Sequence, residues 1–187
     1  MKGILLLSGG YDSAVAGFLM QKKGLEIIAV HFSYEPLTDN SPEKKAREIS
    51  EILKFKKLIV INISKECEKI ADKCRRDLYF VLSKRLMLRK AAEIAKKENC
   101  NFLITGEALG QVGSQTLQNL RAITESSVIP VLRPLLTYDK EKIINIARRI
   151  GTYEVSSGPE VCDILGPKHP ATRSKIEDVK KEELKLA

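Results

Sequence analysis

The sequence predicts an α/β protein, an open doubly wound parallel sheet of about five strands. Three observations predict it. Strand-like runs alternate with helical stretches from the first residues onward. Four of the runs are almost continuously apolar instead of alternating, the pattern of strands buried on both faces. The first strand also runs through a Gly-Gly turn straight into an apolar helix, at Leu7-Ser8-Gly9-Gly10-Tyr11-Asp12-Ser13. Parallel strands joined through helices give right-handed crossovers, and such sheets bind ligands at the carboxyl ends of their strands.

Each element follows in order. Ile4 to Leu7 reads as the first strand and Ala14 to Met20 as the first turns of a helix. Glu26 to Phe32 is the second strand. Ser41 is the expected N-cap of the next helix, with Pro42 at its first position and an end near Leu53. Leu58 to Ile63 is the third strand. Ser64 to Asn99 is helical with a break near Cys74 to Asp77. Phe102 to Thr105 is the fourth strand and Val128 to Leu132 the fifth. Between them a helix is expected over Gln115 to Thr124, capped by Gly113 or Ser114. Residues 139–150 place Ile143, Ala147 and Ile150 on one helical face, and Gly151 stops that helix. An irregular stretch from Ser156 to Pro170 and a charged helical tail from Ser174 to Ala187 complete the chain. No repeat or linker interrupts it, so one domain over residues 1–187 is expected.

The composition of the 187 residues, 43% hydrophobic and 30% charged, is that of a soluble globular domain. No apolar run approaches the ~20 residues of a membrane span. The first strand begins almost at Met1, so no cleavable leader is expected. Four cysteines, at 67, 74, 100 and 162, form no C-x-x-C pair and are too sparse for a disulfide scaffold, so a cytoplasmic, reducing location is expected. The formal charge of +8 suits a polyanionic partner. Residues 65–98 hold eleven Lys/Arg against six Asp/Glu, which fits nucleic acid or an ordinary solvated helix face equally well.

The Gly-Gly turn carries the chemistry. A strand, a glycine turn and a helix N-terminus make a phosphate site, because the backbone can approach the ligand and unpaired N–H groups point at it. Asp12 would repel phosphates unless a cation lay between, so Mg²⁺ held by Asp12 is the functional reading; a simple helix N-cap at Asp12 or Ser13 is the bland one. No G-x-x-x-x-G-K-[ST] occurs, which argues against a Walker-type nucleotidase. Thr105 to Thr116 contains three glycines in the eight residues 106–113 and reads as a ligand-facing loop, with Gln111 and Gln115 as hydrogen-bonding groups. His31 and Phe32 end the second strand on the same rim. Cys67, Cys74 and Cys100 read as buried structural thiols.

The string Ser-Gly-Gly-x-Asp-Ser resembles the PP-loop of ATP pyrophosphatases. The ordered set Ser8–Ser13, Val30-His31-Phe32, Leu86–Arg89, Thr105–Thr116, Arg133-Pro134-Leu135, Asp139-Lys140, Ile150–Glu154 and Pro167–Pro170 is similar to the PP-loop domain of the tRNA 4-thiouridine sulfurtransferase family, over roughly residues 3–175. That resemblance implies the adenine nucleotide alpha hydrolase-like fold, with ATP and Mg²⁺ as cofactors. It implies adenylation of a tRNA uridine with release of pyrophosphate, then sulfur transfer from a persulfide or sulfide donor. Ser8, Gly9, Gly10, Asp12 and Ser13 would hold phosphates and metal. His31, Phe32, Gly106 and Gln111 would frame the nucleotide. Cys162 would carry or resolve sulfur, so Asp12 and Cys162 are the expected catalytic residues.

The family's THUMP and rhodanese parts have no counterpart in these residues. RNA binding then falls to the basic 65–98 region, to a second copy in a homodimer, or to a separate THUMP-type subunit. Two alternatives stay open: a PP-loop ligase amidating a small molecule, and a non-enzymatic nucleotide-binding subunit of an RNA-modifying complex.

Overall fold

The computed structural model describes residues 1–110, 115–157 and 165–186. Five strands run parallel: β1 (Lys2–Leu6), β2 (Glu26–Ser33), β3 (Lys57–Asn62), β4 (Phe102–Ile104) and β5 (Val131–Leu132). Their spatial order is β3-β2-β1-β4-β5. β1 is central, with Leu5 opposite Ala29 on one side and Ile104 on the other. The chain therefore builds outward from β1 to β3, returns across the sheet, and builds outward again through β4. The reversal point lies between β1 and β4, where doubly wound sheets open a crevice.

Helices cover both faces. On one face α1 (Tyr11–Lys22), α2 (Ser41–Ile52) and α6 (Lys140–Arg149) pack on Leu5, Leu7, Ile27 and Ala29. On the other, α3 (Ser64–Lys73), α4 (Tyr79–Lys97), α5 (Leu117–Thr124) and α8 (Ile176–Glu183) pack on Ile4, Ile28, Val30 and Phe32. The alternation of odd and even residues between the two cores follows from the two-residue period of a strand. Both faces are covered, which is why β1 and β2 read as solid apolar runs. Edge strand β3 is only half-buried.

Expected boundaries shift where local chemistry decides them. The break between α3 and α4 comes at Cys74, whose backbone is extended, followed by a 3₁₀ turn at Arg76–Leu78. Ser41 is not the cap of α2. Asn40 occupies that position, and the Asp39 carboxylate accepts hydrogen bonds from both the Ser41 amide (2.9 Å) and its hydroxyl (2.6 Å). α5 starts at Leu117, not Gln115, because the Thr116 hydroxyl accepts from the Asn119 amide. β5 spans two residues instead of five: Val128 is exposed, and Pro130, whose carbonyl accepts from the Leu103 amide (2.9 Å), has no N–H to extend the ladder further back. One helical turn, α7 (Tyr153–Ser156), begins just before the stretch expected to be irregular. Asp139 caps α6 through the Lys142 amide, and Gly151 follows that helix at φ +74°, as a left-handed stop requires. Cys67, Cys74 and Cys100 are buried and free, and burial pushes each thiol pKa up. No described helix is long and apolar enough to cross a membrane.

Candidate functional site

A cavity of about 300 Å³ opens at the carboxyl ends of β1, β2 and β4. Its walls come from the segments after those three strands, from the first turns of α1 and α2, and from the first half of α4. Ser8, Gly9, Gly10, Asp12, Ser13, His31, Phe32 and Gly106 all line it, so separate sequence segments do converge on one crevice. Gln111 and Cys162 lie outside the described residues. Gln115 lines the wall: its Oε1 accepts from the Ala108 amide (3.2 Å) and its carbonyl from the Gly110 amide (3.2 Å), which folds the Gly106–Gly110 loop back on itself.

The Gly-Gly turn is held by its own hydroxyls. Ser13 Oγ donates to the Gly10 carbonyl (2.9 Å). Its single proton is thereby used, so Ser8 Oγ must be the donor across the 3.2 Å to Ser13 Oγ. Ser8 Oγ also accepts from the Gly10 amide, and Ser13 Oγ from the Ser8 amide (each 3.2 Å). The two serines thus shape the loop, while the first amides of α1, which have no intrahelical acceptor, face the cavity as a nest for an anion. Gly9 sits at φ +92°, and a Cβ there would lie 3.0 Å from the Pro42 carbonyl. Gly106 is tighter still: a Cβ would stand 2.7 Å from the Asp12 carbonyl carbon and the Ser13 nitrogen. The turn after β4 therefore lies backbone against backbone on the start of α1.

His31 is buried and its Nδ1 lies 2.9 Å from the Leu7 carbonyl. A carbonyl only accepts, so Nδ1 carries the proton. Burial lowers the imidazole pKa, with the Leu7 bond opposing it, and the ring is a neutral strut under the loop.

One cluster was not foreseen as a unit. Glu107, 6% exposed, receives Lys84 Nζ (2.9 Å), Arg133 Nε (2.6 Å) and the Thr105 hydroxyl (3.0 Å). Burial pushes its pKa up, but the two cations outweigh that and hold it at about 2. The trio carries one net positive charge, and Lys84 presents it to the cavity. An acid immediately after a strand was the available signal; its partners lie 23 and 26 residues away, and nothing local pairs them.

The donor set fits a hard divalent cation bound with phosphate. Asp12 is the carboxylate of the loop, and among the described residues no group of three or more His, Cys, Asp or Glu could hold a metal by itself. Mg²⁺ needs only one or two carboxylates when phosphates and water complete its shell.

The profile of the family described as "Thiamine biosynthesis protein (ThiI)" matches residues 1–187. A probable tRNA sulfurtransferase of Moorella thermoacetica is 40% identical over 192 residues, covering 100% of this chain and 49% of the relative. One of Finegoldia magna is 41% identical, covering 99% and 49%. The chain thus spans about half the length of the curated relatives it matches. A crystal structure of a 4-thiouridine synthetase–RNA complex with bound ATP superposes with a TM-score of 0.94 at 37% identity, covering 99% of this chain and 50% of that one. An NAD⁺ synthetase of Burkholderia pseudomallei, at 15% identity and a TM-score of 0.60, shares the fold.

Proposed function

Because this chain belongs to the ThiI family, we propose that it is the ATP-using part of a tRNA sulfurtransferase. It activates a uridine O4 by adenylation so that sulfur can replace oxygen at C4. The observation that carries this reading is the cavity at the sheet's reversal point, with the Ser8–Ser13 nest on one wall and Gly106 seated against it. The relatives are named probable tRNA sulfurtransferases, and the 4-thiouridine synthetase–RNA complex with bound ATP is the precedent for both ligands.

The chemistry balances in two steps. The uridine O4 attacks the α-phosphorus of ATP, the bond to the β-phosphate oxygen breaks, and pyrophosphate leaves with the electron pair. A hydrosulfide sulfur then attacks C4, AMP departs as a leaving group far better than the original oxygen, and loss of the S–H proton leaves the C4 thione. When a persulfide attacks instead, the resulting C4–S–S–R adduct is cleaved by a second thiol, which is oxidised to the disulfide with R as the thione is released. In this reading the amides of α1 and the dipole of that helix hold phosphate oxygens. Asp12 would hold Mg²⁺, which when bound supplies charge neutralisation at the phosphates. Lys84 adds positive charge from α4, and Phe32, Met87 and Leu88 give an apolar surface for the base. Cys162 is the sulfur-handling thiol. tRNA reaches the site through the basic surface of residues 65–98, a second copy, or another RNA-binding part of the protein or its complex. The whole chain is one functional unit for nucleotide activation.

Variant kinetics test the division of labour. Asp12→Ala should lower AMP formation by at least ~10²-fold, the usual cost of removing a group that stabilises transition-state charge. Cys162→Ser should leave RNA-dependent AMP formation intact and abolish thiolated product. Loss of adenylation in the Cys162 variant would overturn that assignment.

A further inference from the structure

The start of α2 forms a second wall facing the Gly-Gly turn. A Cβ on Gly9 would lie 3.2 Å from Lys45 Cβ, so the helix and the turn leave no gap at this point. Lys45 lines the cavity, and its ammonium donates to the Ser157 carbonyl at 2.9 Å. Among the described residues it makes no ion pair, whereas Lys84 is bound to Glu107. Ser156, beside that carbonyl, is 5% exposed and also lines the cavity. Its hydroxyl is buried and has no hydrogen-bond partner among the described residues. An ammonium and an unpartnered buried hydroxyl therefore sit together on the side of the cavity that carries Gly9. Buried hydroxyls are satisfied in native proteins with few exceptions, and an exception inside a cavity marks a place for a ligand group.

We propose that Lys45 and Ser156 form the second half of a polyphosphate site, holding the β- and γ-phosphates of the nucleotide and then the departing pyrophosphate. The proposal deepens the nucleotide reading and rests on it. The amides of α1 approach the phosphates from one side and Lys45 with Ser156 from the other. Lys45 moves its ammonium from the Ser157 carbonyl, a neutral acceptor, to a phosphate oxygen, a charged one; Ser156 donates its free proton. As the α–β bond breaks, the negative charge that develops on the leaving oxygen meets these donors already in place.

Equilibrium binding of ATP, AMP and inorganic pyrophosphate to the whole chain tests this. Lys45→Met should weaken ATP and pyrophosphate by at least ~10-fold, the scale of one charge-assisted hydrogen bond, while AMP changes less than about twofold. Lys45→Arg should recover most of the loss. Ser156→Ala should weaken the same two ligands by roughly threefold to tenfold. Undiminished ATP affinity in Lys45→Met, or equal loss for ATP and AMP, overturns the proposal. If the Met variant fails to fold, the Ser156→Ala contrast between ATP and AMP decides it alone. Failure of the unaltered protein to bind either nucleotide defeats the nucleotide reading itself.

Discussion

Glu107 is a carboxylate kept charged in a buried place by Lys84 and Arg133, and removing it strands two cations. Glu107→Gln should cost about 3–5 kcal/mol, the usual penalty for breaking one member of a buried ion cluster, measured by urea unfolding at neutral pH. The pH dependence has a definite sign. The folded pKa, at about 2, lies below the ordinary 4.5, so the unfolded chain binds the proton more readily. The stabilisation, on the order of 3 kcal/mol, is complete above about pH 4.5 and is lost as the pH falls towards 2. His31 acts in a higher window: burial lowers its pKa from 6.5, so acid below that value also favours the unfolded chain. The Glu107→Gln variant should keep the His31 loss below pH 6.5 and lack the loss between about pH 4.5 and 2. Gly106→Ala forces a methyl to 2.7 Å from the backbone of Asp12 and Ser13, and it should cost about 1–3 kcal/mol while abolishing nucleotide binding. At this scale the sequence is legible where a single residue type has a unique use, as at Gly9 and Gly106, where the backbone leaves no room for a Cβ. The sequence offers the loop serines as phosphate ligands, with Ser13 alternatively a helix N-cap; the structure puts Gly10 at the cap position and has the two hydroxyls brace the turn.

Elements are tied to the site by side chains that come from far along the chain. α8 is fastened to α4 by Arg85, 2% exposed, which gives two bonds to Glu183 (each 2.8 Å), one to Glu125 (3.0 Å) and one to the Ala122 carbonyl. Asn119, fully buried, donates to the Ala171 carbonyl and accepts from the Ser174 amide, and Gly166 lies against Phe80 of the cavity wall. The segment before α8 is thus bound to α4 and α5, the helices that back the nucleotide face. Arg85→Met should release α8: hydrogen exchange over residues 176–183 should rise sharply, with a global loss of about 3 kcal/mol or less. The strand and helix order was readable because apolar runs and helical periodicity persist over many residues. The ends were not, because each is decided by one or two local hydrogen bonds: the Ser41 amide and hydroxyl to Asp39, the Asn119 amide to Thr116, or the amide that Pro130 lacks. The union of Glu107 with Lys84 and Arg133 depends on the β3-β2-β1-β4-β5 order, which brings α4, β4 and β5 together.

For the whole molecule, the fold places a chemically mixed cavity at the sheet's reversal point and surrounds it with a chain of net charge +8. Saturating ATP with Mg²⁺ should raise Tm, by roughly 5–10 °C at a hundredfold excess over Kd, from the binding free energy alone. The central claim is that this chain spends ATP as AMP and pyrophosphate on an RNA acceptor. The most direct test incubates the protein with ATP labelled at the α-phosphate, Mg²⁺, sulfide and unmodified tRNA, and separates labelled AMP from labelled ADP. The account predicts labelled AMP that appears only when tRNA is present and falls to background in Asp12→Ala. Labelled ADP, or no tRNA-dependent AMP from the unaltered chain, would contradict it.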